Sequence, residues 1–420
     1  MDALAIVAAV LFLTALFNLL NNRFLRLQQT IGLMLIALLF TLAVAGLNAV
    51  GLTRLFSWQQ EFVENLRLDR SLLNGVLCFM LFSGSINVKA RILGEEKWVI
   101  VTLAIGATLV SALLTGAALW AVLPIFGAGL ALIYCLVFGA LISPTDPIAA
   151  LAILGKVGLP PRLEAIINGE SLFNDGVGVV IFSICLTIAI GTQDPAGGDA
   201  VVMFLREVLG GIALGLAAAA VMHHALTRTS EYGTHVLVSL AVVATAYAIS
   251  ERLEVSGPIA TVIIGLVIGN YTMPRVAEGP RDRFKTFWEA IDELLNTTLF
   301  VLIGLQLATV TAFLPAQPIS ALPAILICLA ARWLSVNLSV NVLGGIGALQ
   351  ARRVGLTNLL TWGGLRGGLA IAMALSLPEG PEKEVVLHMT YGVVVFSLLV
   401  QGLTIGRIFK ADQLKRLLSG

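Results

Sequence analysis

Asp146, Glu170 and Asp175 are embedded in stretches that are otherwise almost wholly apolar. The first stands in the run Ser143-Pro144-Thr145-Asp146-Pro147, and the other two stand in Gly169-Glu170-Ser171-Leu172-Phe173-Asn174-Asp175-Gly176. An ionisable side chain at the centre of a bilayer costs at least about 2.5 to 3.5 kcal/mol on insertion scales, so three of them close together mark a path for an ion or a proton. A desolvated carboxylate can hold either a proton or a cation, and the two compete for it. On a helix, Ser171 and Asp175 share a face, as do Glu170 and Asn174. A hard cation such as Na⁺ needs several oxygen ligands. Asp175, the Ser171 hydroxyl, the Asp146 carboxylate and the Thr145 carbonyl or hydroxyl form a candidate Na⁺ set. Glu170 has a different expected partner: Arg332, a cation in a later apolar run with no other obvious counter-charge, so the two read as a structural ion pair.

Two breaks in the apolar pattern position these groups. Pro144 and Pro147 remove backbone donors on either side of Thr145-Asp146 and push the residues before them away from helical geometry. A second break, Gly363-Gly364-Leu365-Arg366-Gly367-Gly368, places glycines around an arginine at mid-membrane depth. Unpaired backbone within a membrane is tolerated where it lines a cavity or coordinates something. Glycines alone would also suit tight helix packing. For Arg366 two roles stay open: stabilising the helix ends at the break in its own span, or setting the local potential around the aspartates.

The whole chain fits a membrane setting. Its 420 residues are 58% hydrophobic and 12% charged, with a mean hydropathy of +0.95, too apolar for one soluble core. Apolar runs near residues 3–20, 30–50, 71–88, 98–123, 129–154, 163–190, 201–226, 234–250, 257–271, 286–312, 319–349, 355–377 and 385–406 give thirteen candidate spans. The expected fold is an all-α polytopic membrane protein with two inverted six-helix repeats, in which the broken spans five and twelve occupy equivalent, crossed positions and span seven connects the repeats. Broken helices at matching positions in two halves point to a transport site at the midplane. Eighteen of the 26 lysines and arginines lie in alternate segments such as Lys89 to Lys97, Arg275 to Lys285, Arg352 and Arg353, and Arg407 to Arg416. The opposite segments hold Arg54, Arg67, Arg70, Arg206, Arg252 and Lys383. This bias predicts an external N-terminus and a cytoplasmic C-terminus.

Other features weigh against rival classes. The first apolar run follows Asp2 with no basic residue, so it reads as span one and not as a cleaved signal peptide. Cys78, Cys135, Cys185 and Cys328 show no metal or disulfide spacing. The net charge of +1 gives no sign of a nucleic-acid partner, no cofactor is expected, and no polar stretch is long enough for a nucleotide-binding module, which leaves an ion gradient as the energy source. Asp292 and Glu293, beside a basic loop, are expected at the interface and not as ligands. Asn337 and Asn341 are expected to donate hydrogen bonds between helices, and His223, His224 and His388 read as interfacial.

At Ser143 to Pro147, Gly169 to Gly176 and Gly363 to Gly368 the chain resembles the monovalent cation:proton antiporters of the NhaP and NHE type, and the likeness extends over nearly its whole length. The resemblance implies that Asp175 binds cation and proton alternately, helped by Ser171, Thr145 and Asp146. It implies that Asn174 braces the unwound helix, with Arg366, Pro144 and Pro147 supporting the site, and that Glu170 pairs with Arg332. It also implies a core bundle, residues 98–190 and 319–406, moving against dimer-forming scaffold helices, residues 1–88 and 234–312, with 201–226 as the connecting helix. The membrane-embedded unit would be 1–420, in a homodimer surrounded by lipid, in the plasma (inner) membrane of a bacterium. One departure concerns the ligand set: several branches carry an acidic residue after Leu-Phe in span three, whereas Leu81-Phe82 here is followed by Ser83.

The reading that results is a secondary transporter, not an enzyme. It exchanges Na⁺, or Li⁺ or K⁺, for H⁺ by alternating access and serves pH and sodium homeostasis. Position 174 is Asn where related electrogenic antiporters carry a second adjacent aspartate, so the expected exchange is electroneutral. The alternatives are a K⁺-selective cation/proton antiporter, or a cation channel, against which no repeated filter-like loop is visible. An intramembrane protease using Asp146 and Asp175 would leave the paired breaks and buried arginines without a role.

Overall fold

A computed structural model describes residues 3–51, 70–127, 129–191, 199–311, 320–345, 353–410 and 414. Asp2, Arg54, Arg67, Arg352, Lys415 and Arg416, used above for orientation and processing, lie outside the described residues, as do the span and domain boundaries at 312, 319 and 349. The described residues are helical almost throughout, because a backbone in hydrocarbon must satisfy its hydrogen bonds internally.

The helices are α1 (Ala3–Leu20), α2 (Gln29–Ala49), α3 (Arg70–Ile86), α4 (Lys97–Phe126), α5 (Leu132–Ile142), α6 (Ile148–Val157) and α7 (Pro161–Ala189). They continue with α8 (Asp199–Leu226), α9 (Tyr232–Leu253), α10 (Gly257–Val267), α11 (Glu278–Thr311), α12 (Ala321–Gly345), α13 (Arg353–Gly363), α14 (Gly368–Leu375) and α15 (Pro381–Ile408). Among the described residues nine helices are long and apolar enough to cross a bilayer. The count of thirteen crossings rests further on joining α5 to α6 and α13 to α14, and on reading the shorter α3 and the charged-ended α11 as spans. The two expected breaks are present. Residues 143–147 separate α5 from α6, and 364–367 separate α13 from α14.

The helices pack in two groups. Leu119, Phe138, Val177, Cys328, Ile371 and Val394 join α4, α5, α7, α12, α14 and α15 in one core. Leu103, Leu154, Ile166 and Leu359 extend that group to α6 and α13. Phe82, Met222, Val243, Ile264 and Trp288 join α3, α8, α9, α10 and α11, and Val10, Leu33 and Val301 add α1 and α2. Lipid tails are as apolar as leucine, so close packing drives such association. At the α4–α5 contact a Cβ on Gly139 would lie 2.2 Å from the Ala112 carbonyl oxygen. Any larger residue would lift α5, and the break that follows it, away from α4.

Two sequence expectations change. Asn341 Nδ2 donates within α12 to the Asn337 backbone oxygen at 2.9 Å and to its side chain at 3.1 Å. Asn341 therefore donates along its own helix and, among the described residues, not to a second one. Helix α11 begins at Glu278 and not near residue 286. This longer lead-in moves Asp292 from the expected interface to a position one turn beyond Trp288, a residue with no exposed surface.

Candidate ion-binding site at the crossed helix breaks

The two breaks cross and touch through backbone. Asp146 N–H donates to the Leu365 carbonyl at 2.8 Å, a single antiparallel bridge between extended segments. At the crossing a Cβ on Gly367 would lie 2.6 Å from Asp146 Oδ2. Only glycine lets the second break approach the Asp146 carboxylate this closely.

Arg366 enters the other break. Its Nη1 donates to the carbonyls of Ser143 at 2.5 Å and Pro144 at 2.9 Å, the acceptors left open where α5 stops. The negative end of a helix dipole points there, so a cation is favoured. The sequence leaves two roles open for Arg366, the helix ends of its own span or the local potential around the aspartates. The helix end that its guanidinium caps belongs to the first broken span. Its backbone N–H is held by Ser397 Oγ at 2.9 Å.

Helix α7 secures the same break from the opposite side. Ser171 Oγ donates to the Thr145 carbonyl at 2.6 Å, and Asn174 Nδ2 donates to Thr145 Oγ1 at 2.9 Å. Thr145 N–H donates to Asn174 Oδ1 at 3.4 Å. Thr145 is thus fastened through three of its polar atoms by two residues one turn apart. The helix that carries Asn174 is itself continuous, so the unwound segment that it braces is residues 143–147 and not α7.

Glu170 and Arg332 meet in the interior. Arg332 Nη2 lies 2.7 Å from Glu170 Oε1, with side chains 1% and 3% exposed, and it also donates to the Leu360 carbonyl at 3.3 Å. Glu170 Oε1 accepts from Asn174 Nδ2 as well, at 3.2 Å.

A cavity of about 650 Å³ opens between the two helix groups. Asp146, Ser171, Asp175 and Asp292 are on its wall, beside apolar residues that include Leu81 and Phe182. Glu207, Glu251 and Glu254 line it as well. Asp146 Oδ1 accepts from the Ile148 N–H at 2.8 Å, which starts α6. The Asp175 carboxylate makes no hydrogen bond or ion pair with the described residues, although it feels the charges of Asp146 and Glu170. Of the four expected cation ligands, Asp175, Asp146 and Ser171 face the cavity. Thr145, 2% exposed, stands behind them.

Ser83, where related chains carry an acid, is buried and donates to the Trp288 carbonyl at 2.7 Å. It fastens α3 to α11 and is not on the cavity wall. Asp292 and Asn168 are on that wall and were missed as site residues. A signal for Asp292 existed: Trp288, Asp292 and Asn296 recur at helical spacing, but only a helix begun at Glu278 makes that spacing visible.

Comparisons with known proteins agree with this architecture. Residues 6–411 match the model of the transmembrane sodium/hydrogen exchanger family. The chain is 40% identical over 420 residues to the Na⁺/H⁺ antiporter NhaP of Pseudomonas aeruginosa, covering 98% of this chain and 99% of that one. It is 34% identical over 340 residues to the Na⁺/H⁺ antiporter NhaH of Halobacillus aidingensis, covering 80% and 81%. Its fold matches the structure of the sodium proton antiporter MjNhaP1 of Methanocaldococcus jannaschii at pH 8, with a TM-score of 0.77, 18% identity and full coverage of both chains. By its sequence over nearly its whole length, and by the fold that carries the crossed breaks, this chain belongs to the sodium/hydrogen exchanger family.

Proposed function

We propose that this multi-pass membrane protein is a secondary antiporter exchanging Na⁺ for H⁺, with Asp175 as the group that holds cation and proton in turn. The observation that carries this reading is the contrast among the buried charges. Glu170 is engaged by Arg332, Arg366 by the carbonyls of the first break, and Asp146 by the start of α6. Asp175 alone of these faces the cavity with its carboxylate uncommitted. A carboxylate in that setting binds one partner at a time, and that competition couples the two fluxes.

The proposed Na⁺ ligands are Asp175, Asp146 and the Ser171 oxygen, with Thr145 held behind them by Asn174. Cations and protons are the only cargo. Three carboxylates, Glu170, Asp146 and Asp175, face two guanidiniums, Arg332 and Arg366, so the crossing carries one surplus negative charge. One Na⁺ or one proton neutralises it, which favours one-for-one exchange. The core of residues 98–190 and 319–406 carries this site and moves as a body. The scaffold of residues 1–88 and 234–312 stays fixed in a homodimer, with 201–226 linking the two. The N-terminus is external and the C-terminus cytoplasmic, in the plasma membrane of a bacterium.

The test is a proteoliposome assay in which a pH-sensitive dye reports proton movement after Na⁺, Li⁺ and K⁺ are added separately. Wild type responds to Na⁺, and Asp175→Asn inserts but gives no response, since an amide neither titrates nor ligates a hard cation well. Exchange by Asp175→Asn at a near wild-type rate would overturn the assignment.

A further inference from the structure

Three polar residues recur at helical spacing in the last apolar run, Ser397, Gln401 and Thr404. Residues spaced in this way share one helix face. On α15 that face is turned to the second break. Arg366 N–H donates to Ser397 Oγ at 2.9 Å, Gln401 Nε2 donates to the Trp362 carbonyl at 3.4 Å, and Trp362 Nε1 donates to Thr404 Oγ1 at 3.0 Å. The Trp362 carbonyl is among the acceptors that the end of α13 leaves open. Ser397 has no exposed surface, and it begins a π-helical turn, Ser397–Gln401, closed by the Gly402 N–H. Single π turns inside α-helices are frequent at functional sites.

Ser397 holds the residue about which the crossing is built. Leu365, just before Arg366, accepts the Asp146 N–H at 2.8 Å, and Gly367, just after it, is where a Cβ would lie 2.6 Å from Asp146 Oδ2. The Arg366 guanidinium itself holds the Ser143 and Pro144 carbonyls. The other half of the crossing is secured in the same manner. Helix α7, which follows the first broken span, fastens Thr145 with Ser171 and Asn174; helix α15, which follows the second, fastens Arg366 and Trp362 with Ser397, Gln401 and Thr404. The antiporter reading gives Ser171 and Asn174 a part and gives the α15 row none.

We propose that Ser397 is a positioning residue for exchange: through the Arg366 backbone it keeps the Asp146 carboxylate in the place where the cation meets it, and so sets the affinity for Na⁺ without touching the ion. This rests on the antiporter reading, with Asp146 as a cation ligand. A ligand group already held in its bound position loses little freedom when the cation arrives. Without the Ser397 acceptor the segment 365–367 loosens, and Asp146 has to be ordered again at each binding. Gln401 and Thr404 still hold Trp362, so the fold outlasts the loss of the single bond.

The experiment titrates Na⁺ at fixed pH in proteoliposomes holding wild type, Ser397→Ala, Ser397→Thr or Thr390→Val. Ser397→Ala is expected to raise the half-saturating Na⁺ concentration about fivefold, the loss of one buried hydrogen bond, with nearly the wild-type maximal rate. Ser397→Thr, which keeps the acceptor, returns most of the affinity. Thr390, also buried on α15, donates only to the Val386 carbonyl of its own helix; Thr390→Val therefore loses stability but keeps the wild-type affinity. Thermal unfolding in detergent gives a second readout, since Na⁺ binding raises the unfolding temperature: Ser397→Ala needs about fivefold more Na⁺ for the same rise. If Ser397→Ala does not fold, Ser397→Cys, nearly equal in size and a weak acceptor, takes its place. An unchanged half-saturating concentration in the folded variant, an equal rise in Thr390→Val, or a rise that Ser397→Thr does not relieve overturns the positioning role. A wild type that neither moves protons in response to Na⁺ nor gains stability from it would instead sink the antiporter reading, and this proposal with it.

Discussion

A membrane voltage gives the strictest test of the charge count at the crossing. Glu170, Asp146 and Asp175 supply three negative charges and Arg332 and Arg366 two positive ones; hydrogen bonds and an ion pair engage all but Asp175, which shares the cavity wall with Asp146. When one Na⁺ or one proton fills the site the sum is zero, so the loaded core crosses the membrane without net charge in either direction. Moving one elementary charge through 100 mV is worth about 2.3 kcal/mol, whereas a tenfold concentration ratio is worth about 1.4 kcal/mol. A cycle carrying one net charge would therefore shift the Na⁺ ratio that balances a fixed pH difference by about fiftyfold per 100 mV. A one-for-one cycle would not shift it at all. The assay finds the Na⁺ ratio at which dye-reported proton flux vanishes, in liposomes clamped at zero and at −100 mV with K⁺ and valinomycin, once K⁺ itself has been shown not to be exchanged. A balance point that moves by about fiftyfold would refute the count. It would mean that a second proton travels, and Asp146 would have to carry it, since Glu170 is held by Arg332.

Three further outcomes are expected. Glu170→Met and Arg332→Met should each cost roughly 3 to 5 kcal/mol of stability by stranding a buried charge, and the double variant should recover part of the loss. Thermal unfolding in detergent measures this cycle, and purely additive losses would show that the pair is not coupled. Gly367→Ala should lower the maximal exchange rate about tenfold or more while the protein still folds, because the new Cβ displaces the Asp146 carboxylate and such overpacking costs about 1 to 3 kcal/mol; an unimpaired rate would mean that the close approach does not matter. Arg366→Met should destabilise the protein more than Arg407→Met, since only the former uncovers the buried carbonyls of Ser143 and Pro144, and equal unfolding temperatures for the two variants would count against the capping role.

Much of this protein was legible in its sequence, because the bilayer imposes rules that act on one segment at a time. Runs of apolar residues long enough to cross hydrocarbon, the prolines around Asp146, the glycines around Arg366 and the four-residue spacing of Ser171 and Asp175 are all local features. Each follows from helix geometry and from the cost of unpaired polar groups in lipid. The pairing of Glu170 with Arg332 could also be reasoned out, since two buried opposite charges without other partners have few ways to be neutralised.

What the sequence could not decide is which segments meet. The Asp146–Leu365 backbone bridge joins residues far apart in the chain, and no periodicity within either break records it. The same crossing decides that Arg366 caps the end of α5, and packing between α3 and α11 decides that Ser83 is engaged by Trp288. Asp292 moved from an expected interfacial position to the cavity because α11 starts earlier than its apolar run and turns the Trp288–Asn296 face inward. Hydrophobic pattern specifies one face of one helix at a time; register, depth and partner come from close packing between helices, and that exists only in the folded chain.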